Sequence, residues 1–500
     1  MEAAYSPAAT GRINGSLFIV FTALGLGIAG DLLLRSWPWG VNATLWLSVL
    51  CLAVYVLKWT GVAPGPRPWG SRWLACALAL SFSFVIRSSP ALLALDGAAV
   101  ALCLGMVAFR TPSGSVRLAG ITDYAFNLAL SAIHSVAGAL PLLIRGVDWS
   151  ALIRGERKQW TAAVGRGLLV GVPLAVVFAS LFASADVFFA DLLSDSIVFS
   201  PGEVASHVGL VFFFAWLSAS YLWNALLGER REPPNPRIPS WIKFDAIETA
   251  VVFGLLNLLF LAFVLVQFRY LFGGAGRVES SSTLTYAQYA RRGFFELVAV
   301  AALVAPVVLM AHWLLPRGRA GAARLFGVLA GVLVVLLFVV MASALERMRL
   351  YQETFGLTEL RLYATVLLLW LTMLFVWIVA TVLRGRRGRF AFGAVVSGLA
   401  VVAVLNLINP DGLIVRRNAT AANSDHQFDT PYALGLSADA VPSLLAAFDK
   451  VPPGDRCRAA TELRGSYGRG RGGWRNWNLA RWRAERAVAS SEAIVGACEQ

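Results

Sequence analysis

Four carboxylic acids lie inside long apolar stretches of this chain, where an ionised side chain is unfavourable. They are Asp31, Asp96, Glu296 and Glu346. An ionisable group at membrane depth is a candidate functional residue, because its burial costs free energy unless it is paired or hydrated. Two interpretations stay open. Either the four carboxylates line one polar cavity, or each lies within one or two helical turns of the membrane surface and reaches water or an arginine.

A second acidic group follows a run of bulky apolar residues. Asp186, Asp191 and Asp195 are separated by five and four residues, so a helix would place them on roughly one side. Carboxylates without histidine suit hard cations such as Mg²⁺ or Ca²⁺. One interpretation is a metal site, with Asp186 also a candidate general base alongside Asp31. The other is a solvated helix end that binds no ion.

The connection 346–361 is the densest polar patch between two apolar stretches. Its three arginines could clamp a phosphate or carboxylate, or they could pair with its three glutamates, an alternative that the balanced charge favours. The arginines are Arg347, Arg349 and Arg361, and the glutamates are Glu346, Glu353 and Glu359. The predicted ligand or partner surface consists of Asp186, Arg347, Arg349, Tyr351, Glu359, Arg361, Asn409 and Asp411.

Stronger catalytic signatures are lacking. The histidines are scattered without the spacing of metal ligands, at His134, His207, His312 and His426. The chain has no nucleotide-binding loop, dinucleotide fingerprint, nucleophile elbow or zinc-protease helix. We therefore expect no cofactor and no ATP-driven activity by this chain alone.

The elements that must position these residues are membrane helices. The chain is 58% hydrophobic and 14% charged, far from the composition of a soluble protein. Its apolar stretches are long and continuous, which favours helices over the strands of a barrel. The net charge of +14 comes from arginines between these stretches and indicates topology, not a nucleic-acid partner. Spans are predicted near 16–34, 41–58, 72–87, 91–109, 167–190, 204–227, 245–268, 293–315, 323–345, 362–383 and 390–408.

The stretch 124–144 is long enough to cross a bilayer but carries polar residues. Its apolar residues recur at helical spacing, so we interpret it as an amphipathic helix on the membrane surface. With this stretch uncrossed and the N-terminus inside, the cytoplasmic segments hold more than twice as many Lys and Arg residues as the outer loops. The positive-inside rule then predicts a bacterial cytoplasmic membrane protein with its C-terminus outside.

The predicted fold class is therefore an all-α, polytopic bundle of about eleven spans plus one interfacial helix, with a small α-helical extracytoplasmic C-terminal domain. Along the chain we distinguish a four-span segment (1–110), an interfacial and basic segment (111–166), a seven-span core (167–408) and the tail (409–500). Helices are expected to start at Ser437 and Trp474, with a flexible loop at 465–473. In an oxidising compartment Cys457 and Cys498 could form a disulfide, and two unpaired thiols are the alternative.

Several polar segments of this chain resemble a bacterial multi-pass membrane family. The family is the one catalogued as domain of unknown function 4173, with its relative 4153. The segments are 183–186, 286–297, 347–361, 405–411, 429–442 and 474–478, and the resemblance spans roughly 160 to 490. The first 150 residues resemble the family in hydropathy only. The resemblance implies no reaction, but it does imply that these motifs share one extracytoplasmic surface.

Three functions are compatible with these observations. The first is a non-enzymatic envelope, sensing or scaffolding protein whose outer face binds a ligand or partner, such as another envelope protein or a lipid-linked ligand. The second is a membrane enzyme similar to lipid-linked-sugar glycosyltransferases, which would use Asp31 and Asp186. The third is an ion-coupled transporter, which would need Asp96, Glu296 or Glu346 to face a central pathway.

Overall fold

A computed structural model describes most of the chain as α-helix. The described residues are 7–61, 68–109, 116–147, 201–228, 245–271, 293–315, 320–422, 427–468 and 473–491, with a few single positions between 164 and 186. No strand occurs among them. The chain divides into two compact units, and the boundary between the two main bundles falls between Glu232 and Pro233, inside a proline-rich segment. The segments 1–110, 111–166, 167–408 and 409–500 stay a prediction.

Unit 1 consists of residues 1–114, 125–232 and 471–482. Its helices are α1 (Pro7–Leu34), α2 (Val41–Trp59), α3 (Pro68–Ser81), α4 (Ser83–Ile86), α5 (Pro90–Val107), α6 (Ile121–Ala137), a short turn α7 (Ala139–Pro141) continued as one π-helical turn, and α8 (Pro201–Leu226). The first four residues of α6 belong to unit 2.

Glycines bring α1 and α8 into close contact. A Cβ added at Gly27 would lie 2.5 Å from the carbonyl oxygen of Val211, and one at Gly30 would lie 2.5 Å from the ring of Phe214. Small residues allow helix backbones in a membrane to approach and gain van der Waals contact. Asp31 follows Gly27 by four residues and therefore lies on the same face, toward α8.

Helix α6 is oriented differently from a surface helix. Its apolar residues Ile133 and Val136 are exposed, whereas Asn127 and Ser131 are buried. The buried polar side faces α8, where the Asn224 amide donates to the Ser131 hydroxyl at 3.2 Å. A surface helix would direct this polar side to water, so the structure does not support that interpretation. Helix α6 and the following turn instead form a pair bent by 56°, which is either a broken span or a re-entrant loop.

Unit 2 consists of residues 115–124, 233–470 and 483–500. Its long helices are α9 (Ala246–Leu271), α10 (Phe294–Leu314), α11 (Ala320–Phe355), α12 (Glu359–Thr381) and α13 (Phe390–Ile408). Their core is mainly apolar and includes the fully buried rings of Phe253 and Phe375, although Gln267 and Ser343 are also buried and bond to each other. With 36 residues, α11 is about 54 Å long, well beyond a 30 Å hydrocarbon core. Its polar C-terminal end therefore extends beyond the apolar layer.

Nine helices of the described residues are long and apolar enough to span a membrane, or ten if the bent pair counts as one. Together with the helical fold, they make the chain a multi-pass membrane protein. The predicted span 72–87 is a shorter apolar helix, Gly70–Ile86, which is interrupted near Phe82. The predicted span 167–190 lies largely outside the described residues, so the count of eleven stays a prediction.

The tail is helical, but its helices do not begin where the sequence suggested. They are α14 (Pro410–Ala421), α15 (Thr430–Leu434), α16 (Val441–Ala446), α17 (Pro453–Tyr467) and α18 (Leu479–Ala489). Ser437 precedes the turn 438–440 that leads into α16, and its hydroxyl donates to Asp411 and accepts from the Asp439 N–H at 3.3 Å, so it organises this turn and not a helix start. Asn478 interrupts the predicted helix 474–489, and α17 includes the first residues of the predicted loop 465–473.

Candidate functional site

The turn between α11 and α12 is shaped by Gly356 and closed by Arg361. Gly356 has a φ of +73°, a left-handed conformation that favours glycine and ends a helix. The Arg361 guanidinium donates to the carbonyl oxygens of Phe355 (2.9 Å) and Gly356 (2.5 Å). It also lies over the Tyr351 ring, 4.1 Å from the ring centroid. Arg361 and Tyr351 thus bind the end of α11 to the start of α12.

The tail pairs with this same turn through an asparagine and a tyrosine. The Asn418 side chain accepts a hydrogen bond from the Leu357 N–H at 2.6 Å and donates to the Leu357 carbonyl at 2.9 Å. The Tyr432 hydroxyl accepts from the Glu359 backbone N–H at 2.8 Å. Helices α14 and α15 are therefore held on the α11–α12 turn by backbone-directed hydrogen bonds.

Asn409 is the only residue between α13 and α14. Its φ is +54°, a region in which asparagine is enriched among residues other than glycine. Its side-chain oxygen accepts from the Gly412 N–H at 3.1 Å and caps α14. Its amide donates to the Asp439 carbonyl at 3.0 Å. Asn409 therefore defines the direction in which the tail leaves the last span.

Asp411 is completely buried in the first turn of α14. One carboxyl oxygen accepts from the Ser437 hydroxyl at 2.5 Å and from the Ser437 N–H at 3.2 Å. The other is buried without a donor among the described residues, and the Glu359 carboxyl is near enough to share a proton with Asp411. Burial raises the pKa of Asp411, and the charge of Asp439 adds to this, while the Ser437 hydrogen bonds oppose it.

The structure thus brings together five residues of the predicted surface in unit 2, and Arg347 and Arg349 of the same unit are not among them. Tyr351, Glu359, Arg361, Asn409 and Asp411 lie at the junction of tail and turn. Arg347 donates to the Gln267 side chain at 2.8 Å, beside the bundle core. Arg349 is exposed and bonds to Glu353 at 3.0 Å. The alternative that these charges pair is therefore correct for Arg349, and Glu346 lies 3.9 Å from it.

Asp186 is exposed at the edge of the described positions, and its N–H donates to the Phe182 carbonyl at 2.9 Å. Asp191, Asp195 and Cys498 lie outside the described residues. No group of acidic, histidine or cysteine side chains in the described part of the chain could hold a metal ion. Cys457 is disulfide-bonded. Its pairing with Cys498 stays a prediction, as does an ion at Asp186.

In unit 1, Asp31 forms a site that the sequence only half revealed. Its side chain is 7% exposed and accepts from Arg35 at 3.1 Å and from His207 Nδ1 at 2.5 Å. Arg35 also donates to the Ser206 hydroxyl at 2.9 Å. The sequence does not connect His207 with Asp31, because the two residues lie 176 positions apart in the chain. The small residues Gly27 and Gly30, one turn or less before Asp31, were the signal that a neighbouring helix approaches here.

Asn478 anchors the tail segment of unit 1 (residues 471–482) to the α4–α5 connection. Its amide donates to the carbonyl oxygens of Phe84 (2.8 Å) and Arg87 (2.7 Å). Its side-chain oxygen accepts from the Ala480 N–H at 3.0 Å and from the Arg481 N–H at 3.2 Å, which caps α18. All hydrogen-bonding capacity of this buried amide is used.

The same segment lies against the α1–α2 connection. The Val41 N–H donates to the Trp477 carbonyl at 3.0 Å, and a Cβ on Gly40 would come within 2.3 Å of that oxygen. The Asn476 amide donates to the Trp37 carbonyl at 2.9 Å. The α1–α2 connection, the α4–α5 connection and the tail segment therefore share one side of unit 1, an arrangement compatible with the predicted topology.

Comparison with known proteins places the chain in a family. No curated protein and no solved structure matches it. The family model described as "Domain of unknown function (DUF4153)" matches residues 74–447, about three quarters of the chain. The match starts in α3, earlier than the resemblance noted in the sequence, and ends before the 474–478 motif. The chain belongs to the DUF4153 family.

Proposed function

We propose that this protein is a non-enzymatic component of the bacterial envelope that resides in the cytoplasmic membrane with its C-terminal tail outside. In this proposal the tail is a fixed platform on which a ligand or partner binds. The observation that carries it is the structural use of polar side chains: Arg361 holds the α11–α12 turn together, and Asn418 and Tyr432 bond the tail to that turn. Side chains that are used in hydrogen bonds to the backbone hold segments in place and are less suited to catalysis.

Exposed tail residues in each unit are suited to recognition. In unit 2, α17 exposes Arg458 and Arg464, and in unit 1 the first half of α18 exposes Trp482. Arginine and tryptophan are the residue types that most often dominate binding energy at protein interfaces. The disulfide-bonded state of Cys457 supports an oxidising compartment for this surface, because disulfides are rare in the reducing cytoplasm.

Complementation of a deletion strain under envelope stress tests the proposal. Charge reversal on α17 (Arg458→Glu with Arg464→Glu) should abolish complementation while the protein level in the membrane stays normal. Asp186→Asn is the matched control and should complement. If the α17 variant complements and Asp186→Asn does not, the platform is rejected and an enzyme is favoured. Reporter fusions after Ile144 and at Gln500 test the sidedness, and a cytoplasmic Gln500 would exclude the outer location.

The second candidate is a membrane enzyme similar to lipid-linked-sugar glycosyltransferases, with Asp31 and Asp186 as its carboxylates. The observation in its favour is the Asp31–His207 pair, an arrangement in which a carboxylate orients an imidazole. In that case His207 would be the proton acceptor and Asp31 its positioning residue. An ion-coupled transporter has less support, because Glu346 is partly exposed and pairs with Arg349, although Asp96 is completely buried in α5.

A further inference from the structure

We infer that Asp31, Arg35 and His207 form a binding site for the phosphate of an anionic phospholipid headgroup. This inference is independent of the proposed function of the tail, since all three residues belong to unit 1 and lie on α1, its C-terminal end and α8.

The first support is the set of unused donors. Asp31 is buried and binds one guanidinium nitrogen of Arg35 and Nδ1 of His207. The side chains of Arg35 and His207 are 35% and 53% exposed. Neither Nε of Arg35 nor Nε2 of His207 has a hydrogen-bond partner within the described part of the chain. Arg35 Nε thus remains available as a donor at the protein surface, and Nε2 of His207 is a second donor when the imidazole is protonated.

The second support is charge. With His207 protonated, the formal charges of Arg35, His207 and Asp31 sum to +1. Glu203, one turn before His207 on α8, is exposed and is the nearest other acid on that helix. Of the other segments that pack on α1 or α8, α2 carries Lys58 in its last turn and the π-helical turn carries Arg145. Gly146, beside Arg145, meets Trp223, which is sixteen residues, or about 24 Å, from His207 on α8. The site therefore gains a positive charge when the imidazole is protonated.

The third support is depth. Trp37 and Trp39 follow Arg35 directly and are exposed, with ring centroids 5.3 Å apart. The tail segment beside them exposes Trp474 and Trp477. Tryptophan concentrates at the level of the lipid headgroups, where its ring contacts both acyl chains and water. Asp31 lies in the last turn of a candidate span, so its site is at the headgroup level and not in the apolar core.

Together these features favour a lipid over other anions. Arginine recognises phosphate through paired hydrogen bonds, and a half-exposed site at headgroup depth is reached from the bilayer itself. Protonation of His207 adds a positive charge and an Nε2 donor, so the protein should bind the phosphate more tightly with the imidazole protonated than with it neutral.

Lipid titration of the purified full chain in detergent tests the site. The probes are short-chain phosphatidylglycerol, short-chain phosphatidylcholine and soluble glycerol phosphate, each titrated at pH 6 and pH 8 with thermal stability as the readout. Wild-type protein should bind phosphatidylglycerol about ten-fold tighter than phosphatidylcholine at pH 6. Arg35→Gln should remove most of this preference, and His207→Gln should remove its pH dependence.

Arg475→Gln is the matched control, because Arg475 is exposed, belongs to unit 1 and lies over Trp474 outside the site. It should leave binding unchanged. Equal weakening by all three substitutions would overturn the site in favour of general charge attraction. Glycerol phosphate binding as tightly as the lipid would overturn the lipid assignment. If Arg35→Gln does not accumulate, Arg35→Lys keeps the charge but loses the paired donors, and unchanged binding in that variant and in His207→Gln would reject the proposal.

Discussion

Asp31 and Asp411 are both buried at helix ends, but their neighbours differ in kind. Asp31 lies near the C-terminal end of α1, where the helix dipole disfavours a negative charge, and two cationic side chains compensate. Asp411 lies at the N-terminal end of α14, where the dipole is favourable, and its neighbours are a serine and two further acids. The same residue type therefore contacts two basic side chains in unit 1, and in unit 2 it is buried beside a serine and two acids, where burial raises its pKa.

Asp31→Asn should have the largest effect of the changes considered. It leaves Arg35 and His207 without their anion, and removing one member of a buried pair is strongly destabilising. Since both partners are partly exposed, we expect a loss of about 2 to 3 kcal/mol, measured as a lower thermal midpoint in detergent. A midpoint equal to wild type would show that the charge of Asp31 is not needed for packing.

Gly27→Val should separate α1 from α8. The new side chain would collide with the Val211 carbonyl and the Ala215 Cβ, which lie 2.5 and 2.7 Å from the position that a Cβ on residue 27 would take. Overpacking of this kind costs about 1 to 3 kcal/mol. It should also weaken the Asp31–His207 contact, so that a double variant with Asp31→Asn loses less than the sum of the two. Gly25→Val is the control, because a Cβ there meets no atom within 4 Å.

Asp411→Asn should change the free energy of unfolding at pH 7 by no more than about 0.5 kcal/mol. The new amide can accept from Ser437 and donate to Glu359. Burial raises the pKa of Asp411 above its ordinary value, so the folded state binds a proton more tightly than the unfolded state. Wild-type stability should therefore fall as the pH rises from about 4 through the raised pKa, and the Asn variant should lose this slope.

Denaturation of the wild-type protein and of Asp411→Asn between pH 4 and pH 8 measures how the stability of each depends on pH. Asp411→Ala is the contrasting variant, and it should cost about 2 kcal/mol because it leaves the Ser437 donors without an acceptor. Similar losses for Asn and Ala, with no change of slope, would mean that the ionised carboxylate itself is required at this position.

Arg349→Gln should have the smallest effect, with no measurable change in stability. The side chain is exposed and its partners Glu346 and Glu353 are exposed as well, so the charges are screened by water. Complementation of a deletion strain is the more informative assay. Loss of complementation at normal protein levels would return Arg349 to the predicted ligand surface.

Local patterns in the sequence predicted the helices well, since apolar stretches of sufficient length have no alternative in lipid. The orientation of α6 was not predictable in the same way. Its apolar period was recognised, but in a membrane the apolar side faces lipid, and Asn127 and Ser131 are buried against a helix about ninety residues later. A contact between residues so far apart in the chain cannot be recognised in a short stretch of sequence.

In the candidate sites, too, the sequence indicated individual residues but not the contacts between distant ones. Asp31, Glu359, Arg361 and Asp411 were identified because charged residues are conspicuous in or beside apolar stretches. Their partners were not: His207 and Ser437 become neighbours only when distant segments pack. Asn478 was recognised as part of a distinctive motif, but its use as a clamp depends on the Phe84 and Arg87 carbonyls.

The junction at Asn409 has a mechanical consequence. A single residue separates the last span from the first tail helix, and both of its side-chain hydrogen bonds are directed to the tail. A one-residue connection held by two hydrogen bonds is rigid. A rotation of α13 about its axis therefore turns α14 with it. A load applied to the tail would be transmitted directly as torque on the last span, and a movement of that span would be displayed at the surface of the tail.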